Sequence, residues 1–349
     1  MQGSVDIQKV PLSVRSRRPF RLQEMCVDKK PQLVIQFVGL AYQLCGQAQT
    51  FASKLALLPL ESLPLVDLQE AVTIEILREH YLTLVQLLSQ LQLCNAVEAG
   101  HLLQGVGQWK NKFENGVLLI DPIADSYKQL GLDLSRLSCA MVMPGSLAEK
   151  MMEFLLTMEE SSGSRETLEL PSGLHCSLNN EGRNGLIDIE CCDWKRWVEF
   201  PVNHGKVYEN SVLSRVEIHS EWENFRTGLP LVDRVRAKWL DSAVFWQSLG
   251  SDKKECNPPV FGVNQSGTIC QSWVETARGR LYHLAHVESD RVMDYAICAP
   301  TEWNFHPEGV AKKLLKGLSN QVSDSVRWAE CASLYAQVID PCVPVRFVV

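Results

Sequence analysis

The most informative stretch for the fold is ETARGRLYHLAHVESDRVMDYAICAPTEWNFHP, Glu275 to Pro307. Its two strand-like runs, GRLYHLAHVES and RVMDYAICAP, are joined by a polar turn at Ser289-Asp290. Short runs of this kind on either side of a turn predict a β-hairpin. Polar residues that are able to bind a ligand stand at both ends of the hairpin.

Two side chains beside the hairpin are candidate ligand-binding groups. Arg278, before the first strand, has a guanidinium whose donors suit an anionic ligand. Thr301, which we expect to be exposed behind Pro300, offers a hydroxyl donor to a small acceptor. The alternatives are a solvated arginine and a turn in which Trp303 packs, and these residues alone leave both open.

The segment VIDPCVPV, Val338 to Val345, contains an Asp-Pro-Cys turn. Pro341 disfavours the α region for the residue before it, which predicts extended backbone at Asp340. We expect the Asp340 carboxylate to accept hydrogen bonds from backbone amides and so to orient the thiol of Cys342. The alternative is a capped turn with a packed thiol, because free cysteines are usually buried.

The segment LCGQAQ contains a second cysteine of interest, Cys45, followed by Gly46. A glycine at this place lets a bulky ligand approach the backbone. If a helix begins here, its N-terminal dipole favours a thiolate at Cys45. The alternative is that Gly46 is a helix contact and Cys45 fills the core.

Elsewhere the pattern is mainly helical. Apolar residues at helical spacing predict a long buried helix from Val66 to Cys94. Further helices are expected at Ser146–Met158, at Pro230–Leu249 before a capping Gly250, and over roughly Gly309–Gln337. Residues 1–30 form a polar segment, 159–166 a flexible connection and about 174–215 a β-rich section. The chain is expected to be α+β and mostly helical, with residues 31–349 in a single domain.

Composition excludes several classes of protein. The net charge of -7 argues against a phosphate-binding basic face, so we expect no nucleic-acid partner. The sequence has no long uncharged apolar run, so we expect no membrane span. We see no export signal at its start and therefore expect a cytoplasmic location. The 12 cysteines form no CxxC pair, which argues against a structural zinc site.

Taken in order, these segments resemble the large subunit of nickel-iron hydrogenases. In that family a CxxC pair near the N-terminus and a DPCxxC pair at the C-terminus hold a nickel-iron centre, and Pro-Arg-Gly, Gly-His-Trp and Pro-Thr-Thr-Trp-Asn stretches lie between them. The resemblance spans roughly residues 35 to 349 and implies the fold of that subunit, with long core helices and smaller β sections. The matching residues here are Cys45-Gly46, His80, Ser211-Val212-Leu213-Ser214-Arg215, Ala277-Arg278-Gly279, His283, Pro300-Thr301-Glu302-Trp303-Asn304 and Asp340-Pro341-Cys342.

The departures from the family pattern concern the bridging cysteines. Ala48 stands where the second cysteine of the first pair is expected, and Val345 stands at the matching place in the second pair. Each pair thus keeps the thiol that is terminal on nickel in the family and lacks the one that bridges to iron. Without those bridges we expect no nickel and no hydrogen turnover, and therefore no enzyme.

A shortened large subunit of this kind resembles the hydrogenase expression/formation proteins of the HupK/HoxV type. The resemblance implies a maturation scaffold that holds the Fe(CN)2CO fragment transiently. Its expected partners are the upstream iron-cyanide-carbonyl assembly proteins and the hydrogenase large-subunit precursor. The residues implied are Cys45 and Cys342 as iron ligands, Arg278 and Thr301 as donors to cyanide, Pro300 as a wall of that pocket, and Gly46, Asp340 and Pro341 as residues that shape the ligand turns.

Two other interpretations remain open at this stage. One is a chaperone that imitates the large subunit to bind maturation partners without metal. The other is a degenerate but active hydrogenase, against which the missing bridging cysteines argue. The roles of Glu275, His283, His306 and Cys331, which lie near the matched segments, are not decided by the sequence.

Overall fold

Helices make up most of the chain described by the computed structural model. The described residues are 3–17, 21–42, 44–106, 109, 120–138, 141–161, 173, 193–250 and 260–348. In chain order the helices are α1 Arg21–Cys26, α2 Pro31–Ala41, α3 Gly46–Leu57, α4 Leu65–Gln90, α5 Ala96–Gln104, α6 Ile120–Leu130, α7 Leu147–Ser161, α8 Trp194–Glu199, α9 Val212–Val216, α10 Trp222–Phe225, α11 Pro230–Gly250, α12 Pro300–Asn304, α13 Val310–Gln321 and α14 Ser325–Ile339. A short 3-10 turn covers Leu60–Ser62. The strands are β1 Ser4–Gln8, β2 Ser13–Arg17, β3 Phe261–Ser266, β4 Ile269–Thr276, β5 Gly279–Glu288, β6 Arg291–Cys298 and β7 Val345–Val348.

The long helix α4 confirms the prediction for Val66 to Cys94. Its 26 residues carry apolar side chains at helical spacing, and the middle of the helix is buried in the core. Helix α11 packs beside it and is also largely buried. Two acidic residues of α4, Glu75 and Glu79, are buried as well, which requires buried partners for them.

The predicted hairpin is confirmed as β5 and β6, within an antiparallel sheet of order β3-β4-β5-β6. Ser289 and Asp290 both have positive φ, 48° and 59°, as a two-residue hairpin turn of the right twist requires. Helices α3 and α1 cover strands of this sheet. The sheet thus places the start of β5, with Arg278 before it, against the helical core.

A second sheet joins the two ends of the chain. Its order is β2-β1-β7, with β1 antiparallel to β2 and parallel to the C-terminal strand β7. Val5 and Ile7 of β1 are fully buried in the main core cluster. The first 30 residues, although polar in composition, therefore contribute to the same core as the rest.

Three sequence expectations need correction. The β-rich section was predicted over about 174–215; residues 174–192 lie outside the described part, and residues 193–215 hold the short helices α8 and α9. Both have polar caps that favour a helix start, because Asp193 accepts from the Arg196 amide and Ser211 forms a capping box with Ser214.

The other two corrections concern helix ends. The predicted last helix is two helices, α13 and α14, because Asp324 caps a new helix by accepting a hydrogen bond from the Arg327 amide. The segment 159–166 was predicted to be a flexible connection, yet Glu159 belongs to α7 and is fully buried. Its carboxylate accepts from the amides of Leu231 and Val232 at the start of α11; residues 162–166 lie outside the described part.

Most apolar side chains form one large core cluster that includes strands of both sheets and the long helices. A smaller cluster surrounds Trp303 and Tyr282. Within the described ranges, we find no helix that is both long and apolar enough to cross a bilayer.

Candidate metal-binding site at Cys45 and Cys342

Cys45 is the N-cap residue of α3, as expected if a helix begins at Gly46. The residue is 9% exposed, so its thiol is close to the surface but mostly enclosed. The side-chain nitrogen of Gln49, Nε2, one turn further on, lies 3.8 Å from the sulfur and donates to it. The Cys45 side chain does not accept from the free amides of the helix.

Backbone amides in the first turn of α3 donate instead to the carboxylate of Glu75 in α4. Its two carboxylate oxygens accept from the amides of Gln47, at 2.8 Å, and Ala48, at 3.0 Å. Burial raises the pKa of Glu75 to about 7, although both hydrogen bonds act in the opposite direction. The positive end of α3 is thus matched by a buried carboxyl group, and the donor to the Cys45 sulfur is a side chain instead.

Cys342 follows the end of α14 and contacts the start of α12. Its sulfur lies 3.0 Å from the Thr301 hydroxyl, and its amide donates to the same oxygen at 3.2 Å. Thr301 was predicted to be exposed in a loop, which is wrong. It is 2% exposed within the helix Pro300–Asn304, because the Glu302 carboxylate caps that helix by accepting from the Ala299 amide.

Asp340 does not have the extended backbone that was predicted from Pro341. It caps α14 in the left-handed region, with φ 63° and ψ 69°, a conformation that aspartate tolerates better than most residues. Its carboxylate accepts from the side chains of Thr83, Lys238 and Arg278, each at 3.1 Å, rather than from backbone amides. Although burial opposes it, the two cations hold the pKa of Asp340 below its usual value.

Arg278 interacts electrostatically with both thiols. Its Nε donates to Asp340 at 3.1 Å and its Nη2 donates to Glu79 of α4 at 3.3 Å. Burial alone would lower the pKa of Arg278, but Asp340, Glu79, Cys342 and Cys45 together raise it. The guanidinium is therefore charged, and the two cysteines, 297 residues apart in sequence, both lie within its electrostatic range.

Among the described residues, the third nitrogen of that guanidinium has no hydrogen-bond partner. Arg278 is 8% exposed, and its Nη1 is buried without a hydrogen bond to any residue that the structure describes. A buried charged donor left without an acceptor costs free energy, about 1–3 kcal/mol or more for charged groups. The arginine thus presents a free donor at the place where a small acceptor ligand is expected.

Gly279 permits this placement of Arg278. It has φ +129°, and a Cβ here would lie 2.3 Å from the backbone oxygen of Asn210. Asn210 in turn bonds the backbone of Arg280 on both sides, donating to its carbonyl at 2.7 Å and accepting from its amide at 2.7 Å. The glycine and the asparagine therefore fix the turn from which the guanidinium projects.

The two positions of the absent bridging cysteines have ordinary structural roles. Ala48 is fully buried in the first turn of α3, where its amide donates to Glu75. Val345 is the first residue of β7, pairs with Val5 and packs against the core. In the part of the chain that the structure covers, no group of three or more His, Cys, Asp or Glu side chains could hold a metal ion.

A network of buried ion pairs lies next to the site. Arg215 pairs with both Asp241, at 2.6 Å, and Glu275, at 2.8 Å, and Glu275 also pairs with Arg280. His80 bonds Asp241 at 2.7 Å and, because of burial, its pKa is lowered to about 4. Glu275 is therefore engaged in ion pairs with Arg215 and Arg280, and His80 is a neutral member of the same network.

The remaining candidates have partners elsewhere in the fold. His283 is fully buried in β5 between Gln49 and Tyr295. His306 accepts from the Glu308 amide and stacks edge-on with Phe200. Cys331 packs, partly buried, against the core.

Sequence reasoning did not single out Glu75, Glu79, Thr83 or Lys238 as site residues. Glu75, Glu79 and Thr83 come from one face of α4, at i, i+4 and i+8, and Lys238 from the facing helix α11. The available signal was the presence of charged residues inside otherwise apolar helices. That pattern requires buried partners, but it does not say which ones.

Comparison with known proteins agrees with the resemblance seen in the motifs. The chain is 28% identical over 367 aligned residues to the hydrogenase expression/formation protein HupK of Rhizobium leguminosarum bv. viciae, covering 95% of this chain and 90% of that protein. HoxV of Cupriavidus necator, also named a hydrogenase expression/formation protein, is 36% identical over 77 residues, about a fifth of each chain. The chain resembles the HupK/HoxV type of expression/formation protein. No protein-family model matches the sequence.

The fold is that of a nickel-iron hydrogenase large subunit. A [NiFeSe] hydrogenase from Desulfovibrio vulgaris Hildenborough superimposes with a TM-score of 0.55 at 13% identity, over 95% of this chain and 92% of that one. An NAD+-reducing [NiFe]-hydrogenase gives a TM-score of 0.52 at 10% identity with the same coverage. At such low identity the likeness concerns the fold alone.

Proposed function

We propose that this chain is a non-catalytic maturation factor for a nickel-iron hydrogenase. It receives the Fe(CN)2CO fragment, holds it through the thiolates of Cys45 and Cys342, and delivers it to the large-subunit precursor. The names of the HupK and HoxV relatives support a role in hydrogenase expression or formation. The iron fragment is the cargo of the protein.

The observation that carries this proposal is Nη1 of Arg278, which is buried without a hydrogen-bond partner among the described residues and belongs to a guanidinium that interacts electrostatically with both thiols. Cyanide nitrogen is a strong hydrogen-bond acceptor that would be costly to bury without a donor. A charged guanidinium with two nitrogens fixed by Asp340 and Glu79 and one free donates to such an acceptor without reorganising. Soft thiolates on both sides suit iron.

Thr301 supports the same site in a different way from the one predicted. Because its hydroxyl oxygen accepts from the Cys342 amide, its proton is free to point at the Cys342 sulfur, 3.0 Å away. Such a bond stabilises a metal-bound thiolate. Contact of Thr301 with a cyanide, and of Pro300 as a wall of the pocket, remains part of the proposal.

Charge and ligand count fit transient binding. An iron(II) ion with two cyanides and a carbonyl is neutral, so ionising two thiols on loading leaves the site two charges more negative. Arg278 and Lys238 are the buried cations at the site. Two protein ligands leave less binding energy to overcome at release than four would.

Transfer of labelled iron tests the proposal. Protein isolated without oxygen from cells that make the hydrogenase and are grown on 57Fe is mixed with tagged large-subunit precursor, and the two are separated again. We expect iron and the cyanide and carbonyl bands to move to the precursor. A Cys94→Ala/Cys331→Ala variant should behave as the wild type, whereas Cys45→Ala/Cys342→Ala should carry no label. Label that remains on the donor chain would contradict a delivery role.

A second candidate function rests on the fold. Because the chain has the fold of a hydrogenase large subunit over most of its length, a chaperone that imitates the subunit could bind maturation proteins without metal. Complexes with those proteins that contain no iron and survive the loss of both thiols would favour it. Complexes that depend on Cys45 and Cys342 would favour the iron carrier.

A further inference from the structure

A chain of buried hydrogen bonds leads to the sulfur of Cys45 through three side chains that the proposed function does not use. The Tyr295 hydroxyl lies 2.7 Å from Nδ1 of His283, and Nε2 of His283 lies 2.9 Å from Oε1 of Gln49. The Gln49 Nε2 then lies 3.8 Å from the Cys45 sulfur. Gln49 and His283 are fully buried, and Tyr295 is 1% exposed, so water does not compete for these bonds.

The directions of the bonds in this chain follow from the Gln49 oxygen that faces the imidazole. Burial lowers the pKa of His283 to about 3, so the ring is neutral and has one N–H. The Gln49 Oε1 that faces Nε2 only accepts hydrogen bonds, so the single imidazole proton is on Nε2 and donates to that oxygen. Nδ1 is then an acceptor, and the Tyr295 hydroxyl, whose pKa is raised by burial, keeps its proton and donates to it. The Gln49 amide group is thereby oriented with its NH2 toward Cys45.

We propose that Tyr295, His283 and Gln49 are positioning residues that present a hydrogen-bond donor to the Cys45 sulfur. An amide nitrogen donates and cannot accept, so the chain favours a sulfur that acts as an acceptor, as a metal-bound thiolate does. Partners that orient and hydrogen-bond a ligating group commonly change metal affinity 10–100-fold when they are removed. This role deepens the proposed function, but the hydrogen bonds themselves exist without iron.

The arrangement also distinguishes the two cysteines. Cys342 shares a hydrogen bond with Thr301, whose hydroxyl rotates and is able to donate or accept. Cys45 faces an amide that the histidine holds in one orientation. We therefore expect Cys45 to be the thiol that is prepared for a metal before the fragment arrives.

The test uses the metal-free protein. Nitrogen-15 NMR of the imidazole should show His283 in the Nε2–H form in the wild type. Alkylation by iodoacetamide at one fixed pH, followed by mass spectrometry of the Cys45 and Cys342 peptides, reports how readily each sulfur reacts. We expect Gln49→Leu to lower the rate at Cys45 about tenfold relative to Cys342, because a charge-assisted donor to the sulfur is lost.

A remote variant separates orientation from packing. Tyr295 is hydrogen-bonded to His283 and to neither Gln49 nor Cys45. Tyr295→Phe therefore removes only the hydroxyl that donates to Nδ1. We expect a mixture of both imidazole forms and a lower rate at Cys45, while Gln23→Leu, at a buried glutamine outside the chain, leaves both unchanged. An Nδ1–H form in the wild type, or a Cys45 rate that is unchanged or faster in Gln49→Leu, would overturn the inference. Iron binding does not enter these readouts, so they stand or fall apart from the carrier role.

Discussion

At the scale of single residues, Arg278 and Glu75 determine the character of the site. Arg278 carries a fixed positive charge within electrostatic range of both thiols and is held by carboxylates from two different elements. Glu75 takes the helix amides that would otherwise stabilise a Cys45 thiolate. Arg278 thus offers a donor that no described residue accepts. Because Glu75 occupies the helix amides, the donor to the Cys45 sulfur is the side chain of Gln49.

Loss of the Arg278 charge should destabilise the protein strongly. Arg278→Met removes one of two cations from each of the buried carboxylates of Glu79 and Asp340, which keep Arg78 and Lys238. We expect a cost of about 3 kcal/mol, the lower end of the usual range for a broken buried ion pair. The matched control is Arg291→Met, which breaks an exposed pair with Asp28 and should change the free energy of unfolding by less than about 1 kcal/mol. Denaturant unfolding of both variants checks this, and equal effects would show that Arg278 is not a buried anchor.

Glu75 should make stability fall as the pH rises. Its pKa is raised from 4.5 to about 7 in the folded protein, so the folded state holds a proton that the unfolded state loses. The contribution is complete below pH 4.5 and is lost as the pH rises through about 7, a difference of about 3 kcal/mol. Glu75→Gln cannot ionise, so its stability relative to the wild type should rise over this interval. A constant difference in melting temperature between pH 4.5 and pH 8 would refute the raised pKa.

At the scale of elements, two helix ends and one turn bring the site together. The start of α3 carries Cys45, the end of α14 leads to Cys342, and the β4–β5 turn carries Arg278. Helix α4 provides the carboxylates that hold two of these three parts. The geometry of the β4–β5 turn therefore decides where the guanidinium points.

Replacement of Gly279 should disturb the site and the fold together. Gly279→Ala places a Cβ against the Asn210 backbone at φ +129°, so we expect a loss of more than about 1–3 kcal/mol, the usual range for such strain. Gly100→Ala is the matched control, because nothing lies within 4 Å of its Cβ position in α5 and alanine favours a helix by about 0.5–1 kcal/mol. Thermal unfolding of the two variants should move in opposite directions.

Elements with a strong local pattern could be predicted from the sequence. The β5–β6 hairpin and α4 were found because turn residues and apolar spacing act locally. Asp340 was predicted wrongly because its left-handed backbone is stabilised by Thr83, Lys238 and Arg278, which are distant in sequence. The carboxyl partners on α4 could not be predicted because they depend on tertiary packing, and the ligand-binding roles of Cys45, Cys342 and Arg278 stay a prediction.

At the scale of the whole molecule, the pairing of β1 with β7 ties the two ends of the chain together. Strand β7 begins only three residues after Cys342, so the N-terminal strand supports one of the two thiols. Ile7 of β1 is fully buried in the core, whereas Val10, in the following turn, is 77% exposed. The polar N-terminal segment therefore contributes to the position of the site.

Weakening this pairing should loosen Cys342. Ile7→Ala removes a fully buried side chain and should cost about 2–5 kcal/mol, whereas Val10→Ala should change stability by less than about 0.5 kcal/mol. Because β7 begins three residues after Cys342, Ile7→Ala should increase the alkylation rate at Cys342 more than the rate at Cys45. Equal acceleration at both cysteines would point to general unfolding instead of a local effect.

Infrared spectroscopy of the protein, purified without oxygen from cells that make the hydrogenase, tests whether Cys45 and Cys342 together hold an iron fragment that carries cyanide and carbon monoxide. We predict cyanide and carbonyl stretching bands in the wild type and in Cys94→Ala/Cys331→Ala, and none in folded Cys45→Ala/Cys342→Ala. Bands that are absent from the wild type, or that persist unchanged in the Cys45→Ala/Cys342→Ala variant, would contradict the claim.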